Sequence, residues 1–342
     1  MISEGKAILD IKGQSHITRK MPVFYNPLME LNRTVSILLL NAIEDSDIQM
    51  AFPLAGSGVR GIRFSKELQK DKIRTLCFND INPVAVRAIK RNIRINNVKK
   101  ASVSHMDANL FLLNSKGFDY IDIDPFGSPN DFLDAAVKRL SREGILAVTA
   151  TDTSALCGTH PKACLRKYWS VPARNDMMHE IGLRILIRKC QLIGAQYDKA
   201  LIPIYSYAKE HYMRAFFRCS KGKARVDEIL LQHGMIGNAG PLWVGNLWEK
   251  ELAEKIAMDA PKEHEKFLEM IAAEAKVESV GFYHLPSLAG KLAHLPRQEL
   301  IVREIEKKGY TAVQTHFSPN SIRSNIPKQD LNTLIQALAG KL

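Results

Sequence analysis

No apolar run in the 342-residue chain approaches the roughly 18–20 residues that a membrane span requires, the longest candidate being residues 35–40. The first residues show no signal-peptide pattern, so the expectation is a cytoplasmic protein with no membrane partner. Cysteine is sparse and scattered. Cys77, Cys157, Cys164, Cys190 and Cys219 form no Cys-x-x-Cys pair, which argues against a disulfide framework and against a thiolate metal site. His179-Glu180 lacks a second histidine at the zinc-protease spacing, and no metal is expected. Cys157 lies near His160, but sequence neighbours are seldom a catalytic thiol pair. No internal repeat or low-complexity tract occurs, and nothing points to an obligate protein partner.

What is present is an ordinary globular composition, 46% hydrophobic and 25% charged, in a chain long enough for two domains. Lys and Arg number 48 against 36 Asp and Glu, giving a net charge of +12. Such an excess favours a polyanionic partner, nucleic acid first, because neutralised phosphates release counterions and attract over long range.

Residues 1–30 read as a polar, turn-rich extension leading into a helix over residues 28–43. A short strand, 48–54, then runs into Ala55-Gly56-Ser57-Gly58-Val59-Arg60-Gly61 and a helical pattern. Strand, glycine-rich turn and helix open a doubly wound α/β domain. The next strand, 75–78, ends in Asn79-Asp80, and Asn82-Pro83 caps a helix to about Asn96 whose Arg87, Lys90, Arg91 and Arg94 share a solvated face. Strands follow at 101–105, 120–123 and 144–150, with a polar loop over 151–161 at the ligand edge of the sheet. A helix over 176–193 and a hairpin of 199–207 with 211–218 close the sheet antiparallel, as in a class I (Rossmann-like) methyltransferase. Beyond a linker at 220–223, helices are expected at 249–258, 263–275, 287–295 and 297–308, then a strand at 310–317, a basic loop at 318–328 and a last helix. The expected domains are therefore 1–222, the N-terminal extension plus catalytic domain, and 223–342, a smaller helix-rich α/β domain that grips RNA.

Four features fall in order at successive strand ends. Gly56 and Gly58 let the backbone approach a ligand, and Asp80 accepts hydrogen bonds from ribose hydroxyls. Asp107 with the Ala108 N–H meets an adenine edge. An adenosine cofactor without a pyrophosphate leaves S-adenosyl-L-methionine as the natural candidate. The fourth feature is Asp124-Pro125-Phe126-Gly127 at a strand end. The lone pair of an exocyclic nucleobase amine is delocalised into its ring. Accepting its N–H at the Asp124 carboxylate and the Pro125 carbonyl, with Phe126 stacked on the base, favours the nucleophilic geometry.

Seven stretches together resemble the tRNA guanine-26 N2-dimethyltransferases of archaea and eukaryotes. They are Phe24-Tyr25-Asn26-Pro27 with Asn32-Arg33, the run from Ala55 to Arg63, Asn79-Asp80, the run from Asp124 to Pro129, Thr151-Asp152-Thr153, Cys157-Gly158 and Gly240-Pro241-Leu242-Trp243. The resemblance implies that Arg33, Arg63, Asp80, Asp107 and Ala108 hold S-adenosyl-L-methionine, that Asp124 is catalytic, that Phe24 and Phe126 sandwich the guanine, and that tRNA is the partner. Many members of the family this chain resembles carry a cysteine cluster before the Gly-Pro-Leu-Trp segment; here Gln232-His233-Gly234 stands there instead. Lys162, Arg166, Lys167 and Arg323 are the candidate RNA contacts. A methyltransferase acting on adenine N6 and a non-catalytic RNA-binding protein stay open as alternatives.

Overall fold

A computed structural model describes residues 1–11, 21–290 and 295–339. In chain order the first elements are β1 (Ile2–Glu4), β2 (Ala7–Leu9), α1 (Glu30–Ala42), β3 (Ile48–Phe52), α2 (Val59–Glu67), β4 (Ile73–Asn79), α3 (Pro83–Ile95), β5 (Ala101–Ser104), α4 (Ala108–Leu113), β6 (Phe118–Ile123), α5 (Asn130–Arg139) and β7 (Leu140–Ala150). Next come α6 (Thr153–Leu156), α7 (Pro161–Tyr168), α8 (Met178–Ala195), β8 (Lys199–Lys209), β9 (Tyr212–Lys221) and α9 (Lys223–Leu230). The chain continues with β10 (His233–Ile236), β11 (Ala239–Trp243), α10 (Lys250–Met258), α11 (Glu265–Glu274), β12 (Tyr283–His284), α12 (Leu285–Ala289), α13 (Gln298–Lys307), β13 (Ala312–Gln314), β14 (Ser321–Ser324) and α14 (Lys328–Ala339).

These residues form two compact units that interleave along the chain. The first holds Met1–Thr153, Ile187–Ile204 and Tyr212–Leu231; the second holds Ser154–Leu186, Tyr205–His211 and Gln232–Leu342. A single cut after residue 222 divides the chain differently, because it leaves Ser154–Leu186 and Tyr205–His211 with the first unit and Lys223–Leu231 with the second.

A seven-stranded sheet in the order β5-β4-β3-β6-β7-β9-β8 organises the first unit. β5, β4, β3, β6 and β7 pair in parallel, and β9 runs antiparallel to β7. The parallel strands are apolar runs rather than alternations, as strands covered on both faces must be: Met50, Ala51, Phe52, Leu76, Phe78, Tyr120, Ile121, Ile123 and residues 145–148 are all buried. The strand order reverses between β3 and β6, so their carboxyl ends open a crevice at the switch point.

Local chemistry fixes the helices around the sheet. Asn82 accepts the Val84 N–H and Pro83 opens α3, as its sequence predicts. Arg87, Lys90, Arg91 and Arg94 lie exposed on that helix. Lys199 donates to the Val137 and Leu140 carbonyls at the end of α5. No periodic signal marks the β1–β2 hairpin, because its strands are only three residues each. It docks on α3 through Asn92, which accepts the Asp10 N–H, and Asn96, which accepts from and donates to Ile8. Residues 12–20 of the expected extension lie outside the described residues.

In the second unit, α10–α14 surround a three-stranded sheet ordered β12-β14-β13. Ile301, Ile305, Ile322, Leu331, Leu334 and Ile335 form an apolar cluster at its C-terminal end. Three expectations need correction here. The strand expected over 310–317 spans only β13, and the loop expected over 318–328 contains β14, the central strand of the sheet. β14 reads Ser-Ile-Arg-Ser yet all four residues are buried, so its polarity disguised it. The helix expected over 287–295 ends as α12 at Ala289, and residues 291–294 lie outside the described residues.

Candidate active site

The crevice of the first unit is assembled from four strand ends. After β4, fully buried Asn79 donates to the carbonyls of Pro53 and Met106 and accepts the Met106 N–H, stitching together the segments that follow β3 and β5. Its neighbour Asp80 accepts the Gly56 N–H at 2.8 Å on one carboxylate oxygen and the Asn82 N–H at 2.9 Å on the other. Each oxygen keeps acceptor capacity for a hydroxyl. Gly58 sits at φ 79° as the N-cap of α2, a conformation glycine adopts without cost. At Gly61 a Cβ would fall 2.4 Å from the Phe78 ring, so only glycine lets α2 approach the sheet this closely. Asp107 caps α4 through one oxygen, accepting the Asn109 and Leu110 N–H groups, with Ala108 buried beside it.

Asp124 follows β6 into the same crevice, which Phe24, Gly56, Arg60, Asp122 and Asp124 line together. Arg60 Nη2 donates to Asp124 Oδ2 at 2.5 Å and to Asn32 Oδ1 at 2.8 Å. Side chains two apart on a strand share a face, so Tyr120, Asp122 and Asp124 form a polar column. Behind Asp124, Asp122 is 3% exposed and accepts from Arg214 at 3.1 and 2.6 Å and from the Tyr120 hydroxyl at 2.5 Å; its Oδ1 lies 3.4 Å from Arg60 Nε. Burial opposes the Asp122 charge, but Arg214 and Arg60 outweigh it and hold the carboxyl below its ordinary value. Burial and then Asp122 push the Tyr120 hydroxyl well up. Arg60, Asp122 and Arg214 were not singled out in the sequence. The signals were there: an acid two residues before Asp124, and an arginine inside the apolar run of β9.

Phe24 and Phe126 lie against each other, with centroids 4.3 Å apart at 70°. They touch edge to face, so a base enters between them only if one ring turns aside; Phe126 is 40% exposed. Gly127 donates to Thr151 Oγ1 at 2.7 Å and accepts the Thr151 N–H at 2.9 Å, fastening the Asp-Pro-Phe-Gly turn to the end of β7.

Arg33 and Arg63 have carboxylates already. Arg33 pairs with Glu4 of the hairpin through two nitrogens and donates to the Asn26 carbonyl, and Arg63 reaches Glu4, Glu30 and Glu67. Both are buried, although Arg33 still borders the crevice. In the second unit, Lys162, Arg166 and Lys167 are exposed on α7. Arg323, expected to contact RNA, is instead fully buried in β14. Its guanidinium donates to Glu180 at 2.7 Å, to Glu274 at 3.0 Å and to the Gly281 carbonyl at 2.8 Å, so it is a structural cation and not an RNA contact. Cys157 approaches His179, not His160, at 3.6 Å, and burial pushes its thiol up to about 12, which removes it as a nucleophile. No group of three potential metal ligands occurs among the described residues.

A model of the N2,N2-dimethylguanosine tRNA methyltransferase family matches residues 5–238 and 234–336. The chain belongs to that family. Among its tRNA methyltransferase relatives, the tRNA (guanine(26)-N(2)/guanine(27)-N(2))-dimethyltransferase of Aquifex aeolicus is 35% identical over 94% of this chain and 92% of its own length. The tRNA (guanine(26)-N(2))-dimethyltransferase of Methanocaldococcus jannaschii is 33% identical over 99% of this chain and 98% of its own. The solved structure of Trm1 from Pyrococcus horikoshii with S-adenosyl-L-methionine superposes with a TM-score of 0.87 at 32% identity, covering 98% of this chain and 99% of that one. The resemblance and the class I methyltransferase fold read from the sequence are both borne out.

Proposed function

We propose that the chain is a cytoplasmic enzyme that transfers methyl groups from S-adenosyl-L-methionine to the N2 amine of guanosine 26 in tRNA. The observation that carries this reading is the Asp124 carboxylate, clamped by Arg60 at the switch-point crevice between the glycine loop and the Phe24–Phe126 pair. The crevice suits the cofactor. Gly56 and Gly58 present bare backbone, Asp80 offers acceptors for ribose, and Asp107 and Ala108 stand one strand further along for adenine. Arg33 borders the crevice where a methionine carboxylate would lie, while Arg63 supports it through the shared Glu4. When bound, the cofactor supplies an electrophilic methyl group.

The protein's part is to prepare the amine. Arg60 occupies one oxygen of Asp124 and fixes its plane, leaving the other to accept an N2–H of guanine, and the Pro125 carbonyl accepts beside it. With the lone pair turned out of the ring, Asp124 would take the amine proton as nitrogen bonds to the methyl carbon and that carbon's bond to the cofactor sulfur breaks. Phe126 turns to stack on the base, and Phe24 covers its other face. The net charge of +12 draws in the tRNA, with Lys162, Arg166 and Lys167 of the second unit among its phosphate contacts.

Mass spectrometry of nucleosides from tRNA incubated with labelled cofactor tests the reading. Dimethylguanosine at position 26 supports it; methyladenosine, or no label, overturns it. Asp124→Asn keeps the shape and removes the charge, and should lower turnover by about 10² or more while leaving cofactor affinity nearly unchanged. Equal turnover would refute the role of Asp124.

A further inference from the structure

Residues 153–175 carry Lys162, Arg166, Lys167 and Arg174 and no acidic residue. Most of this stretch belongs to the second unit, and α7 is its centre. Cys164 and Tyr168, four residues apart, are both fully buried and pin one side of the helix. Lys162, Leu165, Arg166 and Trp169 recur at spacings of three, four and seven residues, so they share the opposite side. Leu165 is 54% exposed and Trp169 46% exposed, and Lys162 and Arg166 lie open between them. The other two tryptophans, Trp243 and Trp248, are buried.

The backbone under Trp169 adds a second, independent observation. The residue ends α7 at φ 57°, ψ 40°, the left-handed region in which a bulky side chain is uncommon and glycine is the usual occupant. Its N–H closes the helix onto the Leu165 carbonyl at 3.1 Å. Two residues later Val171 exchanges backbone hydrogen bonds with Gly240 at 2.8 Å each way, which fixes the chain on leaving the turn. A large aromatic ring is thus held outward, against its backbone preference, in a field of cations. Strain of this kind is kept where the ring has work to do.

We infer that this face of α7 is an RNA-binding surface on which Trp169 stacks an unpaired base while Lys162 and Arg166 hold the flanking phosphates. Aromatic platforms set among cations are how proteins hold unstacked nucleotides, since every base offers a π-face and every linkage a charge. The inference rests on the tRNA reading above and adds to it a stacking contact.

Trp169 is the exposed tryptophan of the three, so its fluorescence reports the contact directly. Titrating the full chain with a tRNA transcript should quench the exposed component and protect it from iodide. Trp169→Gly relieves the left-handed strain while giving up the buried part of the ring, so it should stay folded, as read by circular dichroism, yet bind the transcript about five- to a hundredfold more weakly. Trp169→Phe should restore much of the affinity. Arg166→Glu should reduce the slope of log K against log salt by about 1 or more. Unchanged affinity in Trp169→Gly overturns the inference, as does protection that appears on concentrating the protein without RNA, which would mark a protein–protein surface. The two proposals fail separately: a parent chain that methylates guanosine while Trp169→Gly binds normally removes only the stacking surface. A parent chain that quenches with tRNA but transfers no methyl group removes only the enzymatic reading.

Discussion

Replacing Arg323 by Met sets two roles of one residue against each other. In the structure its guanidinium bridges Glu180 and Glu274, donates to two backbone carbonyls, and lies 5.2 Å from the ring centre of Trp248. Methionine fills similar space but leaves Glu180 with Arg184 and the Gly281 N–H, and Glu274 with His316 and Thr315. Removing one partner of a buried ion pair costs about 3–5 kcal/mol. In a unit of roughly 150 residues this lowers the melting temperature by on the order of 10 °C. All three tryptophans lie in the second unit, so tryptophan fluorescence follows its unfolding selectively. The pH dependence carries a sign. Burial opposes the Glu180 charge, but Arg323 and Arg184 outweigh it and bring the carboxyl from 4.5 to about 2. A depressed carboxyl stabilises above its unfolded value and loses that contribution as pH falls through the folded one. The parent should therefore shed roughly 3 kcal/mol between about pH 4.5 and 2, at about 1.4 kcal/mol per pH unit. The variant should show a flatter acid limb, and its folded fraction should bind tRNA with the parent's affinity. A variant that melts within about 2 °C of the parent and loses RNA affinity would refute this reasoning and return Arg323 to the RNA surface.

Two further outcomes follow from the first unit. Asp122→Asn leaves Arg214, which is fully buried, without its carboxylate, and should cost about 3–5 kcal/mol, read as faster amide exchange along β6 and β9; exchange like the parent's would show the column to be dispensable. Gly61→Ala pushes a methyl group into the Phe78 ring and should destabilise by about 1–3 kcal/mol, measured by chemical denaturation; a parent-like midpoint would mean the ring yields freely.

The candidate site was legible where spacing along the chain carries the information. Asp80 could be found because it stands a fixed distance past the glycine turn, and the structure ties it to that turn through the Gly56 N–H. Asp124 could be found because a strand ends on it. The partners that hold these residues were not legible, since they come from far along the chain. Arg214 reaches Asp122 across 92 residues and Glu4 reaches Arg63 across 59. Periodicity reports burial only for apolar side chains. β14 carries a buried arginine neutralised by Glu180 and Glu274, and a pattern reader sees in it a basic loop. The same disguise turned Arg323 into an expected RNA contact.

The interleaving of the two units bears on how the chain is made and inherited. The polypeptide passes between them five times, and the hairpin tip Tyr205–His211 belongs to one unit while both flanking segments belong to the other. During synthesis the first unit has all its residues once Leu231 has emerged. Ser154–Leu186 and the hairpin tip must wait, without the rest of their core, for Gln232 onward. No single break in the gene yields two intact halves, so neither unit can be traded between proteins as a cassette.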